Sequence, residues 1–130
     1  MKCQDIYKAA LRLIGENGRE DRTADYLERT PYILANAVSD LKTLDGYYRK
    51  AHSLPERIEV PGAEVCLPLS EDFPLADRFM GAVSAYLASI LLVDENTSLS
   101  DKFYDRFCLS VTAITGEIPA ETEKILERYS

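Results

Sequence analysis

Residues 71–114 read EDFPLADRFMGAVSAYLASILLVDENTSLSDKFYDRFCLSVTAI, and this stretch decides the fold class. Two segments with apolar residues at helical spacing flank a short polar break, DENTS, at 94–98. The first segment predicts a helix from near Pro74 to Val93. Its second half is apolar nearly all round, which is typical of a helix at the centre of a domain.

The second segment predicts a helix that opens near the polar break. Ser98 and Asp101 have the spacing of a capping box, with Asp in place of the usual Glu or Gln. Gly116 and Pro119 are expected to end this helix. One face of it carries mostly apolar side chains, namely Leu99, Phe103, Phe107, Ser110, Val111 and Ile114.

The N-terminal half predicts two further helices. Residues 4–14 have one apolar face, and the GENG sequence at 15–18 ends that helix. Asp21–Thr23 offer N-cap residues for a longer helix that runs to about Lys50. Pro31 interrupts this pattern, which favours a kink or a short break there.

Residues 52–70 differ in character, with three prolines, one glycine and two short runs of β-forming residues. The runs IEV at 58–60 and VCL at 65–67 flank Pro61–Gly62, so the segment is expected to be either a small β-hairpin or an extended arm. Two short strands alone are only marginally stable, so this segment must lean on the helices or on a partner.

These elements together predict a mainly α protein with a single domain spanning residues 1–130. The expected fold is a small bundle of four to five helices, with the short hairpin or arm between the second and third. The C-terminal residues 117–130 are expected to form either a last short helix or a tail that orders on a partner.

The charge distribution argues against nucleic acid as a partner. The net charge is −7, and the excess acid lies entirely in residues 51–130, which hold 14 Asp and Glu against six Lys and Arg. A DNA-binding protein gains affinity by neutralising phosphates with basic groups, and this chain lacks that footprint. No run approaches the roughly 20 apolar residues that a membrane-spanning helix needs.

The sequence contains no convincing pattern for catalysis or for a metal. Cys3, Cys66, Cys108 and the lone His52 lack the close paired spacings of zinc sites, and the segment 94–105 lacks the ligands of a calcium loop. Three widely spaced cysteines do not form a disulfide framework, which favours a reduced, cytoplasmic site of synthesis. We therefore expect neither enzymatic activity nor a cofactor.

An aromatic and basic cluster at the end of the second helix is the candidate partner contact, because Tyr and Arg are enriched at interface hot spots. The alternative is that Tyr48 lies in the core, Tyr47 at its rim, and the basic residues favour the helix C-terminus. The candidate contact residues are the four of this cluster and two charged residues of the following segment, namely Tyr47, Tyr48, Arg49, Lys50, Arg57 and Glu59.

The junction FPLADRFMGAVSAYLASILLVDENTSLSDKFYDRF resembles the C-terminal helical hairpin of head–tail connector (adaptor) proteins of tailed bacteriophages and prophages. In that family a Pro-started apolar helix, a short Asp-rich turn and a helix opening with aromatic residues follow one another. The N-terminal QDIYKAALRLIGE is similar as well. The residues of this chain that match the family's sequence pattern are Phe73, Pro74, Tyr86, Leu91, Asp94, Phe103, Tyr104 and Arg106.

The resemblance implies a structural, non-enzymatic protein of the phage neck. Family members assemble as a homo-oligomeric ring beneath the portal protein and extend the DNA channel, and a tail-completion or stopper protein then docks on that ring. Such a protein is made in the bacterial cytoplasm and ends in the virion neck. Two other functions compete with it: a small helical adaptor or regulatory protein with no virion role, and a small-ligand binder or enzyme subunit using Tyr47, His52 and nearby carboxylates.

Overall fold

The computed structural model describes residues 1–15 and 23–119, and this part of the chain is mainly helical. The elements in chain order are α1 (Cys3–Ile14), α2 (Thr23–Ala51), a single 3-10 turn (Asp77–Phe79), α3 (Met80–Leu92) and α4 (Thr97–Gly116). The prediction of a small helical bundle is confirmed. Residues 120–130, expected to form a last helix or a tail, lie outside the described residues.

Helix α3 is the centre of the bundle, as its nearly all-round apolar sequence predicts. It packs against α1, α2 and α4. Nine of its 13 residues are buried, and many of them are small, which lets the neighbouring helices approach closely. At the crossing with α4, the Ser100 hydroxyl donates a hydrogen bond of 2.8 Å to the Ser89 carbonyl.

Helix α2 continues through Pro31 without a break, so the alternative of a short break at this position is wrong, whereas a kink there stays a prediction. Proline cannot donate the backbone hydrogen bond to the carbonyl four residues earlier, which here is that of Leu27. The preceding residue, Thr30, is fully buried, and its hydroxyl donates to the Tyr26 carbonyl at 2.6 Å. Packing of this buried face against α3 holds the helix together across the proline.

The two helices of the C-terminal hairpin begin at residues other than those predicted. Helix α3 starts at Met80 rather than near Pro74, because Ala76 has non-helical backbone with ψ 150° and a 3-10 turn follows it. Helix α4 is capped by Asn96, whose side chain accepts a hydrogen bond from the Leu99 amide at 3.1 Å. Ser98 is therefore a residue of the first turn and not the cap.

The connection between α2 and the 3-10 turn, residues 52–76, forms an arm without any strand in the described chain. The alternative of a β-hairpin is wrong, because the backbone amides that would pair its two strands donate to other carbonyls. The amides of Val65 and Cys66 both donate to the Gly62 carbonyl, and the Leu67 amide donates to the Pro31 carbonyl of α2. Gly62 has φ +76°, which glycine adopts without steric strain, and turns the chain there.

The far end of the arm is fastened to the N-terminus. Backbone hydrogen bonds of 2.8–3.1 Å join Met1, Cys3 and Gln4 to carbonyls and amides of residues 69–73. The arm therefore lies on the bundle with both ends fixed, and it shapes the surface beside α2.

Candidate interaction site

Most of the candidate contact residues surround one open groove between α2 and the arm. Tyr47, Lys50, Arg57 and Glu59 line a cavity of about 500 Å³, whose walls also include Val38, Val60 and Ala63. A second cavity of about 550 Å³ adjoins the first. Lys50, Arg57 and Glu59 line both cavities, and Arg49 lines the second. We call the two cavities together the α2 groove.

The groove owes its shape to a fully buried carboxylate, that of Asp45. Its Oδ1 accepts a hydrogen bond from the Ala76 amide at 2.7 Å. Its Oδ2 accepts from the Nε of Arg49 at 2.9 Å and lies 3.6 Å from a guanidinium nitrogen of Arg57. A carboxylate can be buried at this depth because an amide and two cations compensate the lost hydration.

The guanidinium of Arg49 is engaged entirely within the molecule. Besides Asp45, it donates to the Pro55 carbonyl at 2.9 Å and to the Pro74 carbonyl at 3.0 Å. One side chain thus fixes the start and the end of the arm against α2. Planar guanidinium geometry, with several donors held in one plane, suits this bridging role.

Arg57 is held in a similar way and remains mostly buried. It donates to the Lys42 carbonyl at 3.2 Å and to the Glu59 carboxylate at 3.1 Å, in addition to its ion pair with Asp45. The Glu59 side chain is 83% exposed. Arg49 and Arg57 therefore build the groove, whereas Glu59 and Lys50 present charge to the surface.

The two adjacent tyrosines point in different directions. Tyr48 packs edge-on against Phe79 at 5.9 Å and lies 4.3 Å from the His52 ring, so it belongs to the side of α2 that faces the bundle. Tyr47 is half-buried and lines the groove. This arrangement agrees with the alternative in which Tyr48 packs on the core and Tyr47 lies at its rim.

His52 does not join the groove. Its Nε2 lies 3.1 Å from the Glu117 carbonyl, and so links the end of α2 to the end of α4. The Glu117 carboxylate accepts three hydrogen bonds of 2.8–3.0 Å from Arg78, and this pairing lowers the pKa of Glu117. The end of α4 is therefore fixed beside the C-terminal end of α2.

The side chains that line the α2 groove are of types that can bind a partner. Among the described residues, no group of three or more His, Cys, Asp and Glu side chains is placed to hold a metal ion. The described helices also include none with the length and apolar character needed to cross a membrane. The groove combines apolar walls, hydroxyl groups and side chains of both charges, which suits a polypeptide with apolar and charged side chains.

The sequence prediction omitted Asp45, the residue that organises the site. A signal for it was present. Leu41, Asp45 and Tyr48 follow one another at helical spacing on the apolar face, and Arg49 stands four residues after the acid. An acid on a buried helical face, with a cation one turn away, indicates a buried ion pair.

Comparisons with known proteins add no identification: the sequence matches no protein family, no curated protein and no solved structure.

Proposed function

We propose that this protein is a non-enzymatic component of the neck of a tailed phage or prophage, where it forms a ring beneath the portal that joins head to tail and extends the DNA channel. One observation carries the proposal. Helix, long helix, arm and helical hairpin follow one another in a chain whose residues 73–106 resemble the pattern of head–tail connectors.

The residues behind this resemblance lie in the hairpin, except for Phe73 and Pro74, which lie in the arm ahead of α3. Four of them are buried: Phe73, Pro74, Leu91 and Phe103. The Tyr86 ring packs against Phe107 of α4 with centroids 5.1 Å apart. Tyr104 and Arg106 are exposed on α4 and are free to contact a neighbouring subunit. The pattern therefore combines hairpin packing with surface groups suited to assembly.

The acidic balance of the chain supports a channel role. DNA has to slide through the ring without adhering to it, and carboxylates on the wall repel phosphates. The 14 acids of residues 51–130 outnumber the basic residues there by eight. The wall of the channel would accordingly be drawn from the second half of the chain.

The arm supports assembly with a partner. Ile58 is 81% exposed and Val65 is 71% exposed, although both are large apolar residues. They lie on a segment whose ends are fixed by Arg49 and by the pairing with Met1–Gln4. A fixed arm with exposed apolar side chains can bury them against a neighbouring subunit or the portal with little loss of conformational entropy.

The test begins with a pull-down of the tagged protein from lysate of the source bacterium after prophage induction, read by mass spectrometry. Recovery of a portal or tail-completion protein is expected. Recovery of cellular proteins alone, with virion proteins abundant in the input, would favour the adaptor function instead. Binding to the purified cognate portal follows, and electron microscopy of the complex should show a ring.

Arm variants sharpen this test. Ile58→Glu and Val65→Glu should weaken portal binding or ring assembly by at least about tenfold, because a charge replaces an apolar contact. Tyr32→Glu is the matched control, since Tyr32 is 55% exposed on α2 and lies outside the arm. If no complex with the portal formed under any assembly condition, the proposal would be wrong.

A further inference from the structure

One stretch of the arm, residues 56–60, leaves its backbone without partners inside the molecule. The sequence there is ERIEV, and the chain has neither a helix, a turn nor a bend over these residues. Within the described part of the chain, no hydrogen bond reaches an N–H group of residues 56–60 or a C=O group of residues 56–59. A row of unpaired backbone donors and acceptors is what the edge strand of a β-sheet presents to another chain.

The stretch is accessible and is held in place on the molecule. Ile58 at its centre is 81% exposed, although it is a large apolar side chain. Just before the stretch, the Pro55 carbonyl accepts a hydrogen bond of 2.9 Å from Arg49. Within it, Arg57 donates to the Lys42 carbonyl at 3.2 Å. A segment that is ordered before binding loses little conformational entropy when a second chain pairs with it.

Two prolines limit the stretch symmetrically. Pro55 stands three residues before Ile58, and Pro61 stands three residues after it. Proline has no backbone N–H, so it ends a ladder of hydrogen bonds between strands. The longest ladder that this stretch can form therefore covers residues 56–60 and has Ile58 at its midpoint.

The side chains of the stretch complement a second copy of the same stretch. In an antiparallel pair with Ile58 opposite Ile58 of the second copy, Arg57 of each copy lies opposite Glu59 of the other. Opposite charges that face each other across two strands stabilise the pair, and so do two β-branched side chains. A parallel pair in register would place Arg57 opposite Arg57 and Glu59 opposite Glu59. The charges therefore favour the antiparallel arrangement.

We propose that two copies of the free protein associate through residues 56–60, which pair as antiparallel strands about a twofold axis at Ile58. The contact is small, so the dimer is weak, with a dissociation constant of about 10–100 μM. A ring needs head-to-tail contacts between subunits, whereas this contact is twofold. The pair therefore has to separate before Ile58 can contact a neighbouring subunit or a portal. The inference does not rest on the proposed function and concerns the protein alone.

Sedimentation equilibrium of the full chain, from about 5 to about 500 μM, tests the association and its charges. A reversible dimer is expected. Glu59→Arg should weaken it by at least about tenfold, because the new guanidinium then lies opposite Arg57 of the second copy. The Glu59 side chain is 83% exposed, so the fold tolerates the change, and circular dichroism checks it.

Glu56→Arg is the matched control for the charge. It makes the same change of charge in the same stretch, but residue 56 lies opposite the uncharged Val60 of the second copy. This variant should weaken the dimer by less than about threefold. Equal effects of the two substitutions would overturn the proposed pairing. A monomer at every concentration would overturn the inference as a whole and leave the stretch to solvent or to a strand of a different protein.

Cross-linking tests the register. In a background with Cys66→Ser and Cys108→Ser, where the buried Cys3 remains, Ile58→Cys should oxidise to a covalent dimer. Residues directly opposite each other in an antiparallel pair have Cβ atoms about 5 Å apart, close to the separation that a disulfide needs. In the control Glu56→Cys, the two copies of the exposed residue 56 lie about 13 Å apart along the strands.

The variant Ile58→Cys should form covalent dimers at least about fivefold faster than Glu56→Cys, at a rate that rises with protein concentration. Equal rates for the two variants, or no covalent dimer from Ile58→Cys, would overturn the inference. Recovery of a portal by the wild-type chain is a separate measurement, so a failure of this dimer and a failure of the proposed phage role are distinguishable.

Discussion

At the residue scale, Asp45 connects the sequence of α2 to the shape of the surface. It stands at helical spacing from Leu41 and Tyr48, where an apolar residue would extend the packed face. The acid instead binds the Ala76 amide and two arginines from α2 and the arm. Its burial therefore helps to fix the arm, because one carboxylate binds Arg49 of α2, Arg57 of the arm and the Ala76 amide at the same time.

Replacement of Asp45 by Asn should lower the free energy of unfolding by about 3 kcal/mol, because the arginines lose the charge that compensates their burial. Urea unfolding followed by circular dichroism measures this loss. Asp40→Asn is the control: Asp40 is exposed on the same helix, and its substitution should change stability by less than about 0.5 kcal/mol. Equal effects of the two substitutions would show that the ion pair does not hold the arm.

Cys3 gives the protein a specific response to alkaline pH. Burial, with help from Glu71 and Asp72, raises the pKa of this thiol from 9.0 to about 12. Below pH 9 the neutral thiol of Cys3 makes its full contribution to the free energy of unfolding. This contribution is lost as pH rises towards 12, because the thiol ionises at lower pH in the unfolded chain than in the folded one. Between pH 8 and pH 10.5 we expect a loss of about 2 kcal/mol that the variant Cys3→Ala does not show.

Urea unfolding of both proteins at a series of pH values provides the measurement. Tyr7 also has a raised pKa because of burial, but it is present in both proteins and its effect cancels in the difference. A difference between the two proteins that stays constant from pH 8 to pH 10.5 would show that Cys3 ionises equally in both states.

At the element scale, the residue that caps α4 can be tested by mutation. The structure gives Asn96 as the cap, whereas the sequence predicted Ser98. Asn96 accepts the Leu99 amide, so Asn96→Ala should destabilise the protein by about 1 kcal/mol. Ser98 is exposed in the first turn, and Ser98→Ala should change stability by less than about 0.5 kcal/mol. Thermal or urea unfolding of the two variants measures both effects; a larger loss for Ser98→Ala would contradict the cap assignment.

The helices and their buried faces were predictable from sequence because helical periodicity is a local signal. The apolar face of α4 is an example, with Phe103 and Ile114 buried as expected. The arm was not predictable in the same way. Its path depends on the Pro31 carbonyl, which accepts the Leu67 amide, and on Asp45, which accepts the Ala76 amide. These partners lie more than 30 residues away along the chain, and no local pattern indicates them.

For the candidate site too, the residues could be predicted from local sequence, whereas their contacts with distant parts of the chain could not. The cluster Tyr47–Lys50 and the pair Arg57 and Glu59 were identified from residue types, and the structure brings most of them to one groove. Residue type alone did not show that each of the three guanidinium nitrogens of Arg49 donates a hydrogen bond within the molecule. The groove itself arises from the arm, so its shape follows from contacts that sequence periodicity does not encode.

At the scale of the whole molecule, the two ends of the described chain are each tied to a distant element. Residues 1–4 pair with residues 69–73, and the end of α4 is fixed to the 3-10 turn by Arg78 and to α2 by His52. Helix α3 contacts the other three helices. Contacts of this kind favour cooperative unfolding, in which no helix leaves the bundle alone.

The three cysteines provide a test of that cooperativity, because Cys108 is exposed, Cys66 is half-buried and Cys3 is fully buried. A thiol reagent at pH 8 should label Cys108 rapidly and Cys66 more slowly, with mass spectrometry resolving the sites. Cys3 should react only when α1 leaves α3 and the pairing with Glu71 and Leu69 breaks. The free energy of opening obtained from Cys3 labelling should therefore equal the global free energy of unfolding obtained from urea. A value lower by more than about 1 kcal/mol would mean that α1 opens as a separate unit, since local openings require less free energy than global unfolding.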